Sequence, residues 1–161
     1  MFFDRDGVIN RYRSDYVKSV EEFELLPEVP HYLKQLQDIG FKLIIVTNQS
    51  AVNRGIISSH QLKLIHDFLL KELSKRECYV TDIFSCPHRP DENCECRKPR
   101  AKMFLDAAQK HCIDLSKSWV IGDNETDIEP GRKIGCKTMK IKTNGSLAQV
   151  CYKIKEHSCN V

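Results

Sequence analysis

The run Lys42-Leu43-Ile44-Ile45-Val46-Thr47 decides the fold class that we predict for this chain. Its consecutive apolar residues favour a strand that is buried on both faces, which is typical of a parallel sheet covered by helices. Upstream of this strand, apolar residues recur at helical spacing from Val29 to Ile39, and Gly40 fits the end of a helix. Met1-Phe2-Phe3 is an apolar stub that predicts a short first strand.

The same alternation continues downstream. Ser58 followed by Gln61 is the signature of a capping box, so a helix is predicted to begin there. Strands that alternate with helices form βα units, so we predict an α/β fold built on a parallel sheet. The further strands are predicted at 79–84, 118–122 and 137–141, and the further helices at 62–73, at 103–110, before Gly135 and at 147–155.

Length and composition narrow the class of protein. A chain of 161 residues is expected to form one domain over residues 1–161. Its formal net charge of +3 is too small to favour a nucleic-acid partner. No apolar run is long enough for a membrane span and no secretion signal precedes the first charges, so we expect a cytoplasmic protein without a membrane partner. We further expect a monomer.

Carboxylates follow the first and the fourth predicted strands. Asp4 and Asp6 lie two residues apart, and Asp123 and Asp127 lie four residues apart. Because ligands bind at the carboxyl ends of strands in open α/β sheets, these side chains are candidates for one site. Such carboxylates can hold Mg²⁺ or divide the roles of nucleophile and acid. Taken singly, the first pair is equally compatible with an acidic turn, and the second with an interaction with a helix dipole.

The loop 86–99 carries the strongest local motif. Cys86, His88, Cys94 and Cys96 form a Cys₃His set, which is a recognised ligand set for zinc. The loop is too polar to bury four such side chains as ordinary core residues. Four protein ligands close a zinc site, so we predict structural rather than catalytic Zn²⁺. We interpret the other cysteines as buried or incidental thiols: Cys78, Cys112, Cys136, Cys151 and Cys159.

Groups that suit an anion occur at two further places. Thr47-Asn48-Gln49-Ser50 offers a hydroxyl and backbone amides at a strand end, although this segment alone favours helix capping. Arg97-Lys98 follows the last predicted zinc ligand. A loop whose conformation is fixed by a bound metal could hold both cations over an anionic ligand. In isolation this pair would be a solvated basic pair, but beside a carboxylate–Mg²⁺ site a role in anion binding is favoured.

Taken together, these blocks resemble the haloacid dehalogenase (HAD) superfamily of phosphohydrolases. Residues 4–10, DRDGVIN, are similar to its first motif, and residues 46–50, VTNQS, to its second. Lys98 fits the third motif, and Gly122-Asp123 with Asp127 fits the fourth. The zinc loop with its Arg-Lys-Pro end resembles the branch that holds D-glycero-D-manno-heptose 1,7-bisphosphate 7-phosphatases and histidinol phosphatases. The resemblance spans residues 1 to about 142.

This resemblance implies a Rossmann-like sheet in the order 3-2-1-4-5 and a Mg²⁺-dependent phosphatase. Asp4 would be the nucleophile that forms an aspartyl-phosphate, and Asp6 the general acid and then the general base. Mg²⁺ would be held by Asp4, by the backbone carbonyl of Asp6 and by Asp123. Such positioning and charge neutralisation are what phosphoryl transfer chiefly requires. The phosphoryl group and the substrate would be bound by Thr47, Asn48 and Lys98.

The short segments between the motifs leave no room for a cap domain, so we predict a capless enzyme. Substrate choice would then depend on residues 10–17, on residues 50–55 and on the zinc loop. Arg97 and Arg54 lie in these segments and are our candidates for binding a distal phosphate. A planar guanidinium suits this role because it can bind phosphate with two parallel hydrogen bonds.

The sequence leaves three functional alternatives: two phosphatases with different substrates and one protein without catalytic activity. Asp15-Tyr16-Val17, Glu22-Phe23-Glu24 and Arg54-Gly55 are more similar to the heptose enzymes, which we favour. The short zinc loop and Lys102 are more similar to histidinol phosphatases. The third alternative is a zinc-stapled binding protein that has lost catalysis, and the four intact motifs argue against it.

Overall fold

A computed structural model describes residues 1–158, which form a five-stranded sheet flanked by helices. Short 3₁₀ turns at Pro90–Glu92 and Leu115–Lys117 lie in two of the connections. Cys159 lies outside the described residues. The strands and α-helices are, in chain order, β1 (Phe2–Phe3), α1 (Val29–Asp38), β2 (Ile44–Asn48), α2 (Ser59–Ser74), β3 (Asp82–Cys86), α3 (Lys102–His111), β4 (Trp119–Gly122), α4 (Glu125–Lys133), β5 (Lys137–Lys140) and α5 (Ala148–Ser158).

The strands are parallel and lie in the order β3-β2-β1-β4-β5, as predicted. β1 is central: Phe2 pairs with Ile44 of β2 on one side and with Val120 of β4 on the other. A residue that directly follows β1 therefore lies in the middle of the carboxyl edge, where open α/β sheets bind their ligands.

The third strand lies later in the chain than the sequence pattern predicts, at Asp82–Cys86 instead of 79–84. Its pairing with β2 begins at Thr81, whose N–H donates to the carbonyl of Leu43 at 2.7 Å. Tyr79 stays outside the sheet and is 61% exposed. The β propensity of tyrosine is thus overridden by the register that pairing with β2 imposes. As a result, Cys86 lies at the carboxyl end of the strand.

The start of α2 follows the predicted capping box. The Ser58 hydroxyl accepts from the N–H of Gln61 at 3.1 Å, and the Gln61 side chain accepts from the N–H of Ser58 at 2.7 Å. Two of the free N–H groups at this helix start are therefore satisfied. The helix then buries Ile65 and Leu69 against the sheet.

Both faces of the sheet are covered, as the apolar run in β2 predicts. Phe3 and Ile45 belong to a core cluster on one face, which includes buried residues of α1, α2 and α5. Their neighbours Phe2 and Ile44 belong to a second cluster on the other face, with Phe104 of α3. Successive side chains of a strand point to opposite faces, so even the two residues of β1 contribute to both clusters.

The connections between the motifs are short, which agrees with the predicted absence of a cap. From β1 to β2 the chain forms a loop and α1, and from β2 to Lys98 it forms α2, β3 and the cysteine-rich loop. Within residues 1–158, no inserted domain covers the carboxyl edge of the sheet. None of the described helices has the length and apolar character needed to cross a membrane.

Candidate active site

A cleft of about 280 Å³ opens at the carboxyl edge of the sheet. Asp4 enters it directly after β1, and Asp123 directly after β4. Residues of β2 and of the loop before α3 complete its floor. The structure thus brings together in one cleft the predicted residues Asp4, Asp6, Thr47, Asn48, Arg97, Lys98 and Asp123.

Lys98 is the buried cation of this cleft, with a side chain that is only 2% exposed. Its Nζ donates to Oδ1 of Asp4 at 2.7 Å and to the carbonyl of Val46 at 2.7 Å, and it lies 2.7 Å from Oδ1 of Asp127. Burial opposes the charge of this ammonium, but the two carboxylates outweigh burial and raise the pKa of Lys98. An ammonium with three acceptors is held in one position, beside Asp4.

Asp4 is a poorly hydrated carboxylate. Burial raises its pKa to about 7; Lys98 opposes this rise, and the negative charges of Asp127 and Asp6 add to it. The side chain is 12% exposed, so one edge of the carboxylate still faces the cleft. A second cation beside Asp4 would favour its ionised form, which is the form a nucleophile needs.

Asp6 is held by more hydrogen bonds than Asp4. Arg5 Nη2 donates to both carboxylate oxygens, at 2.8 and 2.9 Å. Asn10 Nδ2 donates to Oδ1 at 2.9 Å, and Gln49 Nε2 donates to Oδ2 at 2.7 Å. Burial raises the pKa of Asp6, but Arg5, Asn10 and Gln49 together lower it below the usual value. Asp6 therefore has a fixed orientation in the cleft.

Two glycines allow the carboxylates to approach the backbone closely. Gly7 has a φ of +84°, and a Cβ on this residue would lie 2.5 Å from Oδ2 of Asp123. A Cβ on Gly122 would lie 2.3 Å from Cβ of Asp127. A side chain at either position would displace a carboxylate, which is a specific reason for glycine in the first and fourth motifs.

Three carboxylates of the cleft form a candidate metal centre. Oxygen atoms of Asp4, Asp123 and Asp127 all lie within 4.8 Å of one another. Burial raises the pKa of Asp123, and the charge of Asp127 adds to this rise, whereas a hydrogen bond with Thr143 lowers it. A divalent cation would relieve the repulsion within this cluster. Both oxygens of Asp127 are engaged, Oδ1 by Lys98 and Oδ2 by the N–H of Asn124 at 3.0 Å, whereas Lys98 contacts Asp4 through Oδ1, so Asp4 and Asp123 are the freer ligands.

The residues at the end of β2 have distinct roles. Thr47 is buried, and its hydroxyl accepts a hydrogen bond from Gln49 Nε2 at 2.9 Å. The Asn48 side chain bonds the main chain of Lys98 in both directions, accepting from its N–H at 3.1 Å and donating to its carbonyl at 3.2 Å. Asn48 therefore fixes the segment that carries Lys98, in addition to lining the cleft.

The cysteine-rich loop brings its four predicted ligands into one cluster. The three sulfur–sulfur distances among Cys86, Cys94 and Cys96 are 3.0, 3.5 and 3.6 Å. His88 Nδ1 lies 3.4 Å from Sγ of Cys86 and 3.3 Å from Sγ of Cys96. In a tetrahedral zinc site with Zn–S bonds of about 2.3 Å, ligand atoms are roughly 3.6–3.8 Å apart. The cluster thus has nearly the size that zinc requires.

Of the two arginines that we predicted at the substrate site, only Arg97 lines the cleft. Its Nη1 donates to the carbonyl of His88 at 2.9 Å, which ties it to the cysteine-rich loop. Arg54 does not line the cleft: it is exposed, in a turn in which its N–H donates to the carbonyl of Ser50 at 3.0 Å. The turn continues through Gly55, so proximity to Thr47 in sequence does not bring Arg54 to the site.

Arg5, Arg13 and Gln49 are among the residues of the cleft that were not identified from the sequence as site residues. Arg13 lies in the segment 10–17 that we expected to affect substrate choice, and its Nε donates to the carbonyl of Tyr16 at 3.2 Å. Gln49 lies within the second motif itself. The sequence marked both segments, but which of their side chains face the cleft depends on the fold of the loops.

Comparisons with known proteins agree with this geometry. The HAD-hydrolase-like family model matches residues 95–158. A D-glycero-beta-D-manno-heptose-1,7-bisphosphate 7-phosphatase of Helicobacter pylori is 39% identical over 150 residues, covering 92% of this chain and 83% of the relative. A D-glycero-alpha-D-manno-heptose-1,7-bisphosphate 7-phosphatase of Photorhabdus laumondii is 38% identical over 141 residues, covering 83% of this chain and 76% of the relative.

A solved structure extends the match over nearly the whole chain. The D,D-heptose 1,7-bisphosphate phosphatase of Bordetella bronchiseptica, crystallised with magnesium and phosphate, superposes with a TM-score of 0.91 at 28% identity, covering 98% of each chain. The predicted membership in the HAD superfamily is confirmed. The protein is thus a phosphatase, and it belongs to the D-glycero-D-manno-heptose-1,7-bisphosphate 7-phosphatase family of HAD-like hydrolases.

Proposed function

We propose that residues 1–161 form one phosphatase domain that removes the 7-phosphate of D-glycero-D-manno-heptose 1,7-bisphosphate through an aspartyl-phosphate on Asp4. The observation that carries this proposal is the cleft itself, in which Asp4, Asp6 and Lys98 lie side by side at the carboxyl edge of the sheet. The names and the similarity of the relatives support the choice of substrate.

In the first step, a carboxylate oxygen of Asp4 forms a bond to phosphorus while the bond between phosphorus and the sugar oxygen breaks. The leaving alkoxide takes a proton from Asp6. Lys98 lies within hydrogen-bond distance of Asp4 and so beside the transferring phosphoryl group, whose charge it stabilises. Thr47 contributes a buried hydroxyl at the same end of the cleft.

In the second step, water attacks phosphorus, the bond between phosphorus and Asp4 breaks, and the proton of the water passes to Asp6. Phosphate leaves, and Asp4 and protonated Asp6 are restored. The hydrogen bonds that lower the pKa of Asp6 suit its role as a base in this step. For the first step, the negative charge of a bound phosphate beside Asp6 favours protonation of its carboxyl group.

The donor set of the cleft fits Mg²⁺, an ion that prefers oxygen ligands and is commonly held by one or two carboxylates together with phosphate oxygens. We propose that Asp4, the backbone carbonyl of Asp6 and Asp123 hold it. When bound, Mg²⁺ supplies positive charge to the oxygens of the transferring phosphoryl group. Asp127 is directed to Lys98 at 2.7 Å, so we assign it to positioning that lysine.

We further propose that Cys86, His88, Cys94 and Cys96 hold a structural Zn²⁺. The spacing of the four ligand atoms supports this ion, and all four tetrahedral positions would be taken by protein. The loop leads directly into Arg97 and Lys98 and is tied to Arg97 by the hydrogen bond to the carbonyl of His88. Zinc binding and the position of the two cations are therefore coupled.

Removal of zinc is expected to lower the thermal midpoint and the activity together, because the loop without its metal loses the constraint that positions Lys98. The purified protein should contain about one zinc per chain, measured by atomic absorption. Activity is assayed after treatment with a strong chelator and return of excess Mg²⁺, so that only zinc is missing. Cys86→Ser should reproduce the loss, whereas Cys112→Ser, at an exposed cysteine outside the loop, should not. A zinc-free preparation with full activity would refute the coupling.

Arg97→Ala is expected to raise KM for the bisphosphate with a smaller effect on kcat, because Arg97 lines the cleft outside the Asp4–Lys98 pair and suits the distal phosphate. Loss of one charge-assisted contact should cost about 1.5–3 kcal/mol, which is roughly tenfold or more in KM. The effect on the corresponding monophosphate should be several-fold smaller. Arg54→Ala is the matched control, and zinc content is checked because Arg97 also contacts His88. Equal KM values for Arg97→Ala and the parent on both substrates would remove Arg97 from the substrate site.

Histidinol phosphate is the second candidate substrate, and the charges of the cleft disfavour it. Arg97 lines the cleft in addition to Lys98, and its guanidinium attracts a second phosphate where it would repel the ammonium group of histidinol phosphate. Arg13 also lines the cleft but is paired with Asp15 and Glu22. The deciding measurement is kcat/KM on the α and β anomers of the heptose bisphosphate and on histidinol phosphate. Faster turnover of histidinol phosphate would overturn the proposed substrate while leaving the phosphatase chemistry in place.

A further inference from the structure

Arg5 is a buried arginine in the wall of the cleft. Its side chain is 1% exposed, although arginine is almost never fully buried unless it is paired. One terminal nitrogen, Nη2, donates to both oxygens of Asp6, as described above. The other, Nη1, lies 3.2 Å from Nε2 of His66, a half-buried residue of α2 that is 61 positions away in the sequence.

The direction of the contact with His66 follows from the chemistry of the two groups. Arginine has no acceptor, so Nη1 donates and Nε2 of His66 must be the unprotonated ring nitrogen. Burial lowers the pKa of His66 to about 4, and the charge of Arg5 adds to this effect, so the ring is neutral near pH 7. Arg5 Nε has no hydrogen-bond partner within the part of the chain that the structure describes. The guanidinium is therefore oriented by Asp6 on one side and by His66 on the other.

We infer that His66 is a positioning residue for catalysis: it accepts a hydrogen bond from Arg5 and thereby holds the guanidinium in the orientation that fixes the carboxyl group of Asp6 for proton transfer. This inference rests on the proposed role of Asp6 and extends the proton-transfer machinery to α2. A buried donor that loses its acceptor carries the full desolvation penalty, so without His66 the guanidinium would turn towards other acceptors. The two hydrogen bonds that Nη2 of Arg5 donates to Asp6 would then be lost.

The effect of losing His66 should be partial and selective. Asn10 and Gln49 also donate to Asp6, so its carboxyl group would be misplaced but not released. Proton donation matters most for a leaving group of high pKa, such as a sugar alkoxide, and least for a nitrophenolate that leaves without a proton. A defect in positioning Asp6 therefore depends on the leaving group, whereas a general loss of structure does not.

The test compares kcat/KM, which reports the steps up to departure of the leaving group, for an alkyl phosphate and for 2,4-dinitrophenyl phosphate. In His66→Leu we expect kcat/KM on the alkyl ester to fall about tenfold, the size of one hydrogen bond to a charged group, with less than about a twofold change on the aryl ester. His66→Gln keeps an acceptor on this side of Arg5 and should restore most of the loss. His60→Leu, at an exposed histidine on the same helix, is the matched control.

Each result bears on the inference. Equal losses on the two esters in His66→Leu, or no loss on either, would overturn it, and so would a glutamine variant as impaired as the leucine variant. If His66→Leu does not fold, His66→Gln still decides. Retention of the parent's kcat/KM on the alkyl ester would support the inference, because glutamine keeps the acceptor. A loss on the alkyl ester alone would show that the imidazole itself is required and would overturn the inference. Glycerol phosphate serves as the alkyl ester if the parent enzyme does not hydrolyse the heptose bisphosphate. The substrate proposal can then fail while the inference on His66 stands.

Discussion

Asp4→Asn is expected to abolish turnover of every phosphate ester, because an amide oxygen is too weak a nucleophile to form the bond to phosphorus. We expect a loss of several orders of magnitude in kcat with the fold intact. The amide has the shape of the carboxyl group and can still accept from Lys98, and that ammonium keeps Asp127 as a partner. Because burial disfavours the charge of Asp4, its removal should change the thermal midpoint little.

The measurement combines steady-state kinetics with trapping of the intermediate. After acid quenching in the presence of radiolabelled substrate, the parent should retain label on the peptide that contains Asp4, and the variant should retain none. Asp67→Asn, at an exposed carboxylate of α2, is the control for substitution of an aspartate as such. A variant at Asp4 that keeps a near-native rate, or still becomes labelled, would show that the nucleophile is another residue.

Asp6→Asn has the second largest expected effect, a loss of about 10²–10⁴ on the sugar phosphate, the usual contribution of a positioned proton donor or acceptor. Unlike the loss at Asp4, this one should depend on the leaving group. On 2,4-dinitrophenyl phosphate, kcat/KM should be largely kept, because the phenolate departs without a proton. The second step still needs a base, so the product should appear in a burst followed by slow turnover.

Two measurements check this prediction. Stopped-flow absorbance follows the burst of dinitrophenolate from the aryl ester, and steady-state kinetics give the rate on the alkyl ester. Asn10→Ala provides an informative comparison, since it removes one of the donors to Asp6 but leaves the carboxyl group. Losses of equal size on the alkyl and the aryl ester in Asp6→Asn would argue against an acid role. The residue would then be assigned to holding the loop between β1 and α1.

Features that depend on neighbouring residues were predictable from the sequence. The alternation of apolar runs and helical periodicity predicted a parallel α/β sheet, because strands and helices have local periods. The four proposed zinc ligands lie close together in the sequence, so they were visible as a motif, and the structure clusters them as expected. The resemblance to a family supplied the strand order and assigned Asp4 and Lys98, which are 94 positions apart, to one site, whereas their direct hydrogen bond is seen only in the structure.

Other features depended on strand register and on the geometry of loops, which the pattern of residue types in the sequence does not determine. The third strand began three residues late because its register is set by β2 and not by its own propensity. Arg54 was expected in the cleft because of its short distance in sequence from Thr47, but the intervening turn leaves it exposed outside the lining. Sequence distance limits where a side chain can lie, and only the path of the backbone decides where it does lie.

The sequence by itself determined the fold class, the position of the Asp4–Asp6 pair directly after the first strand and the Cys₃His set near the loop 86–99, because each depends on residues that are close in the sequence or follow a regular period. Only the tertiary structure decided the surroundings of those groups. It buried Arg5, joined it to His66 of a distant helix, and placed Gln49 between Thr47 and Asp6. The physical reason is that burial and hydrogen bonding depend on which segments pack together, so a side chain such as arginine, usually solvated, becomes part of the site only when the fold encloses it.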